Sequence, residues 1–311
     1  MNTLASTHIS AKSWSDTVTI SLSGSMPALV TPMSGGKVDW DTQERLVDWQ
    51  IREGSRGLVP CGTTGESPTL TIDEHHEIVA RTVRVAAGRV PVIAGAGSND
   101  TATSCLHVKE AAKAGADAAL VIVPYYNRPD QDGMYAHFKA VSECSDLPIV
   151  LYNVPGRTIA DLKPDTVRRL AELPGVIGIK DASADVARCV QAQIDCPKDF
   201  TVLSGNDELA LGMMVSGARG LISVTANVAP RACADFMTAC DEDRWSDARA
   251  MGETLHLLHL AMFAAPSPAP VKYAMAKLGI IPDPEVRLPM LACTDAQKQV
   301  VDAAMTRAGL D

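Results

Sequence analysis

The chain has 311 residues, of which 46% are hydrophobic and 21% charged, a balance that excludes a disordered or fibrous protein and is typical of a globular one. The formal net charge of −9 argues against a nucleic-acid-binding surface, which needs basic side chains to neutralise phosphates.

Two kinds of segment alternate along the sequence. Residues 1–24 are rich in serine and threonine and predict an N-terminal arm, either mobile or forming an edge strand. Short β-branched apolar runs then predict eight strands, at residues 28–31, 57–60, 90–94, 118–123, 148–152, 176–179, 200–203 and 220–224. The intervening segments include predicted helices, which begin with polar residues and end near glycine, at residues 41–53, 72–87 and 101–114.

This alternation predicts the fold class. Continuous apolar strands separated by helices indicate a parallel sheet that is buried on both faces. Eight such units predict an α/β protein with a (β/α)8 TIM barrel at residues 25–229. A doubly wound sheet is the alternative, but residues 31–36, after the first predicted strand, lack the expected G-x-G-x-x-G motif. Residues 230–311 are predicted to be C-terminal helices that include the last barrel helix.

Cysteine usage and hydropathy predict the compartment. None of the eight cysteines forms a C-x-x-C pair, which predicts buried thiols in a reducing compartment and no zinc-site spacing. The apolar run at residues 118–124 is too short to span a bilayer, and the first twenty residues do not resemble a signal peptide. We therefore expect a cytoplasmic protein with neither a membrane nor a nucleic acid as a partner.

Lys180 is the most informative single residue. It ends the strand predicted at 176–179, and barrel enzymes build their sites at the carboxyl ends of strands. A lysine amine shielded from water is more readily neutral, and the neutral amine attacks a carbonyl to form a Schiff base. The alternative is a structural ion pair with the adjacent Asp181.

Other polar residues follow strand ends. Thr63 and Thr64, between Gly62 and Gly65, place two hydroxyls on a tight turn that suits a carboxylate, and we favour this function over turn formation and capping alone. Just beyond them, the segment from Thr71 to Glu74 predicts a capping box.

Three of the five tyrosines, Tyr125, Tyr126 and Tyr152, also follow strands. A phenol near Lys180 could move the protons that imine formation requires, although a single strand-end tyrosine is more often a rim residue. Arg157 is either a clamp for a substrate carboxylate or a surface residue.

Five motifs in this order closely resemble the dihydrodipicolinate synthase (4-hydroxy-tetrahydrodipicolinate synthase) family. The resemblance extends from about Met26 to the C-terminus. The motifs are Gly62-Thr-Thr-Gly-Glu66, Tyr125-Tyr-Asn-Arg-Pro129, Tyr152-Asn-Val-Pro-Gly-Arg-Thr158, Gly178-Ile-Lys-Asp181 and Ser223-Val-Thr-Ala-Asn227. The resemblance implies a class I, Schiff-base-forming lyase that condenses pyruvate with L-aspartate 4-semialdehyde, an early step of diaminopimelate and lysine synthesis.

The resemblance also implies residue roles. Lys180 would form the Schiff base, Tyr152 would be the general acid and base, and Thr63 and Tyr126 would complete a proton relay. Tyr126 would act across a subunit interface, in a dimer within a homotetramer. Thr64 and the backbone of Ile222 would hold the pyruvate carboxylate, and Arg157 would orient the semialdehyde; these assignments belong to the same resemblance. No metal or organic cofactor is expected, because the imine is itself the electron sink.

Two alternatives remain at this point. Relatives such as N-acetylneuraminate lyase and the keto-deoxy-sugar-acid aldolases and dehydratases share the lysine but generally lack an arginine at the position of Arg157. A barrel that merely binds a small carboxylate should lack part of the Lys/Tyr/Thr set, and none is missing here.

A lysine effector site is implied by residues that match lysine-inhibited members, namely Ser67, His75, Asn99 and Tyr125. Ile72 and Thr103 stand where sensitive bacterial members typically carry a histidine and a glutamate. We therefore expect weak or absent inhibition by lysine.

Overall fold

The computed structural model describes residues 20–310, so the first 19 residues of the predicted N-terminal arm lie outside the described part of the chain. A seven-stranded parallel sheet dominates this part, in the order β1-β9-β8-β7-β6-β5-β4, and a short antiparallel hairpin, β2-β3, follows β1. The strands are β1 (Gly24–Pro27), β2 (Met33–Ser34), β3 (Lys37–Val38), β4 (Ile93–Gly95), β5 (Ala118–Ile122), β6 (Ile149–Asn153), β7 (Val176–Asp181), β8 (Thr201–Ser204) and β9 (Gly220–Ser223).

The segment 57–60 joins the two edges of this sheet. Ala28 forms a parallel bridge to Val59, and Leu58 forms one to Val92. Backbone hydrogen bonds from Val59 N to Pro27 O (3.0 Å) and from Ile93 N to Leu58 O (2.8 Å) complete the connection. The ring of eight parallel segments confirms the predicted TIM barrel.

Two predicted strands need correction. The first strand is Gly24–Pro27, and within the expected strand at 28–31 only Ala28 forms a bridge. The expected strand at 57–60 contributes isolated bridges rather than a regular ladder. Apolar character predicts burial at both segments, but the number of ladder hydrogen bonds depends on how far the neighbouring strands overlap.

Helices surround the barrel. They are α1 (Trp40–Arg52), α2 (Ile72–Ala86), α3 (Thr101–Ala114), α4 (Gln131–Glu143), α5 (Pro155–Thr158), α6 (Pro164–Ala171), α7 (Ala187–Asp195), α8 (Ala210–Val215), α9 (Pro230–Asp241), α10 (Trp245–Ala261), α11 (Ala269–Lys277) and α12 (Asp295–Arg307). The predicted capping box of α2 is confirmed, with Thr71 and Glu74 satisfying each other's backbone N–H groups. None of the helices in residues 20–310 is long and apolar enough to cross a membrane.

Apolar side chains form two clusters. One fills the barrel interior and includes Met26, Val59, Tyr152 and Ile222. The other lies between the strands and the surrounding helices. Because side chains alternate along each strand, adjacent residues of one strand enter different clusters. This alternation determines which polar side chains point into the barrel.

Candidate active site

Lys180 and Tyr152 lie side by side on neighbouring strands inside the barrel. They are register partners in the parallel pairing of β6 with β7. The Lys180 Nζ lies 4.2 Å from the centroid of the Tyr152 ring, and the two residues are only 6% and 7% exposed. An amine in this position is shielded from bulk water and rests on an aromatic face.

Asp181 is not the partner of Lys180. Its carboxylate accepts a hydrogen bond from Ser183 N at 2.7 Å, and burial raises the pKa of this carboxyl. The described residues place no carboxylate within ion-pair distance of the Lys180 amine. The structural ion pair between Lys180 and Asp181 is therefore a wrong interpretation, and strand alternation explains why.

Gly205 leaves room for the Lys180 side chain. A Cβ atom at position 205 would lie 3.1 Å from the Lys180 Cε and 2.7 Å from the Ala182 Cβ. The second distance is shorter than carbon atoms tolerate without movement, so a side chain here would press on the end of β7. The absence of a side chain at Gly205 therefore preserves the path of Lys180.

The turn that contains Thr63 and Thr64 is fixed by contacts with two neighbouring segments of the barrel. Thr31 Oγ1 donates a hydrogen bond to Gly65 O at 2.7 Å, which fixes the turn against the first barrel segment. A Cβ atom at Gly95 would lie 2.1 Å from the carbonyl oxygen of Cys61, so β4 packs directly against this turn. Thr64 is buried and Thr63 is half-buried.

A buried ion pair joins this turn to the C-terminal helices. Lys272 on α11 is fully buried, and its Nζ lies 2.5 Å from Glu66 Oε1. The same amine donates to Glu285 O at 2.7 Å, and Arg287 N donates to Glu66 Oε2 at 2.9 Å. Burial lowers the pKa of Lys272, while the negative charge of Glu66 opposes this lowering. The C-terminal extension thus holds the base of the turn.

Replacing Lys272 with methionine should destabilise the protein by about 3–5 kcal/mol, because it leaves the buried Glu66 carboxylate without its cation. Urea unfolding would measure the change. The matched control is Lys139→Met, which breaks an exposed ion pair with Glu143 and should have a far smaller effect. Equal effects of the two substitutions would show that the buried pair does not hold the turn.

Arg157 lies on the short helix α5, and hydrogen bonds fix the chain just after this helix. It is exposed on α5, and the described residues offer its guanidinium no hydrogen-bonding or ionic partner. Asn153 Nδ2 donates to Asp161 Oδ1 at 3.0 Å, and Asn153 Oδ1 accepts from Leu162 N at the same distance. Arg188 donates to both carboxylate oxygens of Asp161, at 2.7 and 2.9 Å, and its hydrogen bonds hold the pKa of that carboxyl low. The segment that carries Arg157 is therefore anchored, and its guanidinium is available to bind a ligand.

A cavity of about 200 Å³ opens beside these residues. It brings together Thr63, Tyr125 and Tyr152 from three motifs, and Ser67, which directly follows the first motif. Its lining also includes Cys61, whose pKa is raised by burial, so that this thiol is protonated and unreactive at neutral pH. The volume suits a small organic acid rather than a nucleotide.

Lys180, Thr64 and Arg157 are not among the residues that line this cavity, and three further predicted residues also lie away from it. Tyr126 is 89% exposed and adopts the left-handed backbone conformation, with φ at 72°. Asn99 is half-buried, and its carbonyl accepts a hydrogen bond from Asn127. Ile222 is fully buried in the barrel interior, in register with Met26.

Sequence inspection missed Lys272 and His107 as residues of the site region. Lys272 is the one charged residue before the end of the otherwise apolar helix α11, which is the signal that could have indicated a buried ion pair. His107 lines the cavity, but it lies on α3, away from all the motifs. Only the folded chain brings it to the site.

Comparison with known proteins identifies the family that this chain resembles. The sequence model of the dihydrodipicolinate synthetase family matches residues 21–308. Two relatives, from Sphingopyxis alaskensis and Rhizorhabdus wittichii, are both named 4-hydroxy-tetrahydrodipicolinate synthase. They are 56% and 52% identical over 288 residues, which cover 93% of this chain and 99% of each relative.

A solved structure gives the same result. Dihydrodipicolinate synthase from Acinetobacter baumannii, crystallised in complex with pyruvate, superposes with a TM-score of 0.91 at 42% identity. The match covers 94% of this chain and 100% of that chain.

Proposed function

The chain belongs to the dihydrodipicolinate synthetase family, and on this premise we propose that it condenses pyruvate with L-aspartate 4-semialdehyde as a 4-hydroxy-tetrahydrodipicolinate synthase. What supports this reaction above all is the position of Lys180, whose amine is buried on the Tyr152 ring without a carboxylate partner among residues 20–310. An assay that supplies both substrates and follows the condensation product tests the proposal. Turnover of a sialic acid in place of the semialdehyde would contradict it.

The imine is formed and used in four steps. The Lys180 Nζ attacks the carbonyl carbon of pyruvate, and the carbonyl oxygen leaves as water after proton transfer. The protonated imine withdraws electrons, so a methyl proton is lost and an enamine forms. The enamine carbon then attacks the aldehyde carbon of the semialdehyde, whose oxygen takes up a proton. The semialdehyde amine finally attacks the imine carbon, which closes the ring and releases the lysine amine.

Tyr152 serves the proton transfers of this sequence. Its ring lies next to the Lys180 amine, and it lines the cavity together with Thr63. A phenol so close to the nitrogen can donate a proton to the departing water and accept one back. We assign Thr63 and Tyr126 to the same relay.

Substrate positioning is divided between two regions. Thr64 and the backbone of Ile222 are assigned to the pyruvate carboxylate. Hydroxyl and backbone N–H groups, such as those at the Thr64 turn, are suitable donors to a carboxylate. Arg157 is assigned to the semialdehyde carboxylate, since its guanidinium can bind both oxygens of a carboxylate at once. No metal or organic cofactor takes part in this reaction.

Replacing Arg157 with alanine should lower kcat/KM for the semialdehyde by about 10–150-fold, which corresponds to the loss of a charge-assisted hydrogen bond of about 1.5–3 kcal/mol. Imine formation with pyruvate should remain unchanged, because Arg157 contacts only the second substrate. Steady-state kinetics with each substrate varied in turn would measure both effects.

The control for this substitution is Arg168→Ala, which removes a half-buried arginine of the outer helix α6 that pairs with Asp165 and Glu172. It should leave both substrates' kinetics unchanged. If Arg157→Ala weakened pyruvate and semialdehyde use equally, the assignment of Arg157 to the second substrate would be wrong.

A homotetramer built as a dimer of dimers accounts for Tyr126. Its ring is 89% exposed and does not line the cavity, which supports assigning it to the site of a neighbouring subunit. Sedimentation of the purified protein tests the tetramer, and a monomer with full activity would contradict the assignment. We further propose a cytoplasmic location, with which the eight free thiols agree.

Lysine should inhibit this protein weakly or not at all. Ile72 is exposed and carries no charge, and Thr103 directs its hydroxyl to Asp100 at 2.6 Å. Without a carboxylate at position 103, the lysine amine loses about 1.5–3 kcal/mol of binding free energy. The Thr103→Glu variant should therefore be inhibited at lower lysine concentrations, as measured by activity at fixed substrate. Strong inhibition of the unaltered protein by sub-millimolar lysine would contradict this expectation.

A further inference from the structure

Three of the seven histidines form a cluster at the side of the cavity. His75 and His76 lie in the first turn of α2, and His107 lies on the neighbouring helix α3. The His75 and His107 rings stack with their centroids 4.1 Å apart, and the His76 Nε2 lies 3.0 Å from the His107 Nδ1. His75 is buried, whereas the other two are half-buried and more accessible.

One ring nitrogen of the cluster has no partner among the described residues, while the other two residues are hydrogen-bonded to each other. The His75 Nδ1 is buried and has no hydrogen-bond partner in the described part of the chain. Burial and the neighbouring imidazoles lower the pKa of His75 to about 3, and burial together with His76 lowers that of His107 to about 4. Glu110, three residues beyond His107, pairs with Lys113 at 2.6 Å rather than with an imidazole.

The spacing of the ring nitrogens fits a metal ion. One ligand atom from each of the three rings lies within 4.8 Å of the others. Tetrahedral zinc binds histidine nitrogens at about 2.0–2.1 Å, which places two such nitrogens about 3.3 Å apart. Metal binding therefore requires the rings to rotate, which replaces the hydrogen bond between His76 and His107 and separates the stacked His75 and His107 rings.

We propose that His75, His76 and His107 bind one divalent transition metal ion, with zinc as the best match to three imidazoles. His107 lines the cavity that also contains Thr63 and Tyr152, so the fourth coordination position opens toward the cavity and admits water. This site lies beyond the proposed condensation reaction, which uses no metal.

The expectation that zinc-site spacing is absent concerns the cysteines, and the histidine cluster is a separate feature. Two adjacent histidines at a helix start do not indicate a metal site, because a third ligand is missing nearby in the sequence. His107 lies 31 residues from His76 and reaches it only through the packing of α2 against α3. The packing of these two helices follows from the barrel fold rather than from any local motif.

Titration of the metal-free protein with zinc, in competition with a chromophoric chelator, tests the proposal. We expect one tightly bound zinc ion per chain. The His76→Gln and His107→Gln variants should each bind it at least about 100-fold more weakly, since losing even an outer hydrogen-bond partner of a ligand costs about 10–100-fold. The matched control, His256→Gln, alters an exposed histidine on α10 and should keep the original affinity. Thermal unfolding of each metal-free variant shows whether its fold is retained.

Cobalt provides a second measurement on the unaltered protein. Co²⁺ bound by three imidazoles should give visible d–d bands without the near-ultraviolet charge-transfer band of a thiolate ligand. This distinguishes the cluster from Cys105, which lies on the same helix α3. Absence of stoichiometric zinc binding, unchanged affinity in both folded glutamine variants, or a thiolate band would each overturn the proposal.

Discussion

Replacing Lys180 with arginine should lower turnover by about 10⁴-fold or more, because the reaction loses its nucleophile. Arginine keeps a positive charge and a long side chain at this position, but its guanidinium does not lose a proton under physiological conditions and cannot form the imine. Activity with saturating pyruvate and semialdehyde would measure the loss. The variant should also show no covalent adduct after incubation with pyruvate and borohydride.

The matched control for this substitution is Lys198→Arg, which alters an exposed lysine in the turn after α7. It should retain full activity and the same adduct as the unaltered protein. Because Lys180 is buried, circular dichroism and a urea titration are needed to show that Lys180→Arg is folded. A folded Lys180→Arg protein with substantial turnover would remove Lys180 from the mechanism.

Replacing Tyr152 with phenylalanine should lower kcat by about 10²–10⁴-fold, the usual contribution of a positioned general acid or base. The substitution removes only the hydroxyl, so the aromatic face beneath the Lys180 amine remains in place. The imine should still form, but slowly, and long incubation with pyruvate and borohydride should trap it. If the adduct forms slowly but eventually on every chain, the substitution has impaired proton transfer and left the nucleophile intact.

Tyr135→Phe is the control for this prediction. Tyr135 lies on the outer helix α4, where its ring contacts Arg169 rather than the cavity. Its hydroxyl should be dispensable for turnover. If Tyr152→Phe and Tyr135→Phe had the same small effect, the proton relay would have to run through another group.

Local sequence features predicted the parts of the site that depend on strand ends. Lys180 and Tyr152 each stand at the carboxyl end of an apolar run, and the parallel pairing of β6 with β7 makes them register neighbours. The capping box at Thr71 was predictable for the same reason, since its two hydrogen bonds join residues three apart. Such features depend on nearby residues alone.

Other features depend on long-range packing and were not predictable. Glu66 meets Lys272 across 206 positions, and nothing near either residue identifies its partner. Segment 57–60 was expected to be a full strand, yet its limited overlap with β1 and β4 allows only isolated bridges. The third histidine of the metal cluster, His107, belongs to the same class.

Chemical trapping is the decisive test of whether the Lys180 amine forms an imine with pyruvate. The unaltered protein would be incubated with pyruvate, reduced with borohydride, digested and analysed by mass spectrometry. We predict one reduced pyruvate adduct per chain, located on the peptide that contains Lys180. An unmodified Lys180 peptide, or an adduct on a different lysine, would contradict the mechanism proposed for this site.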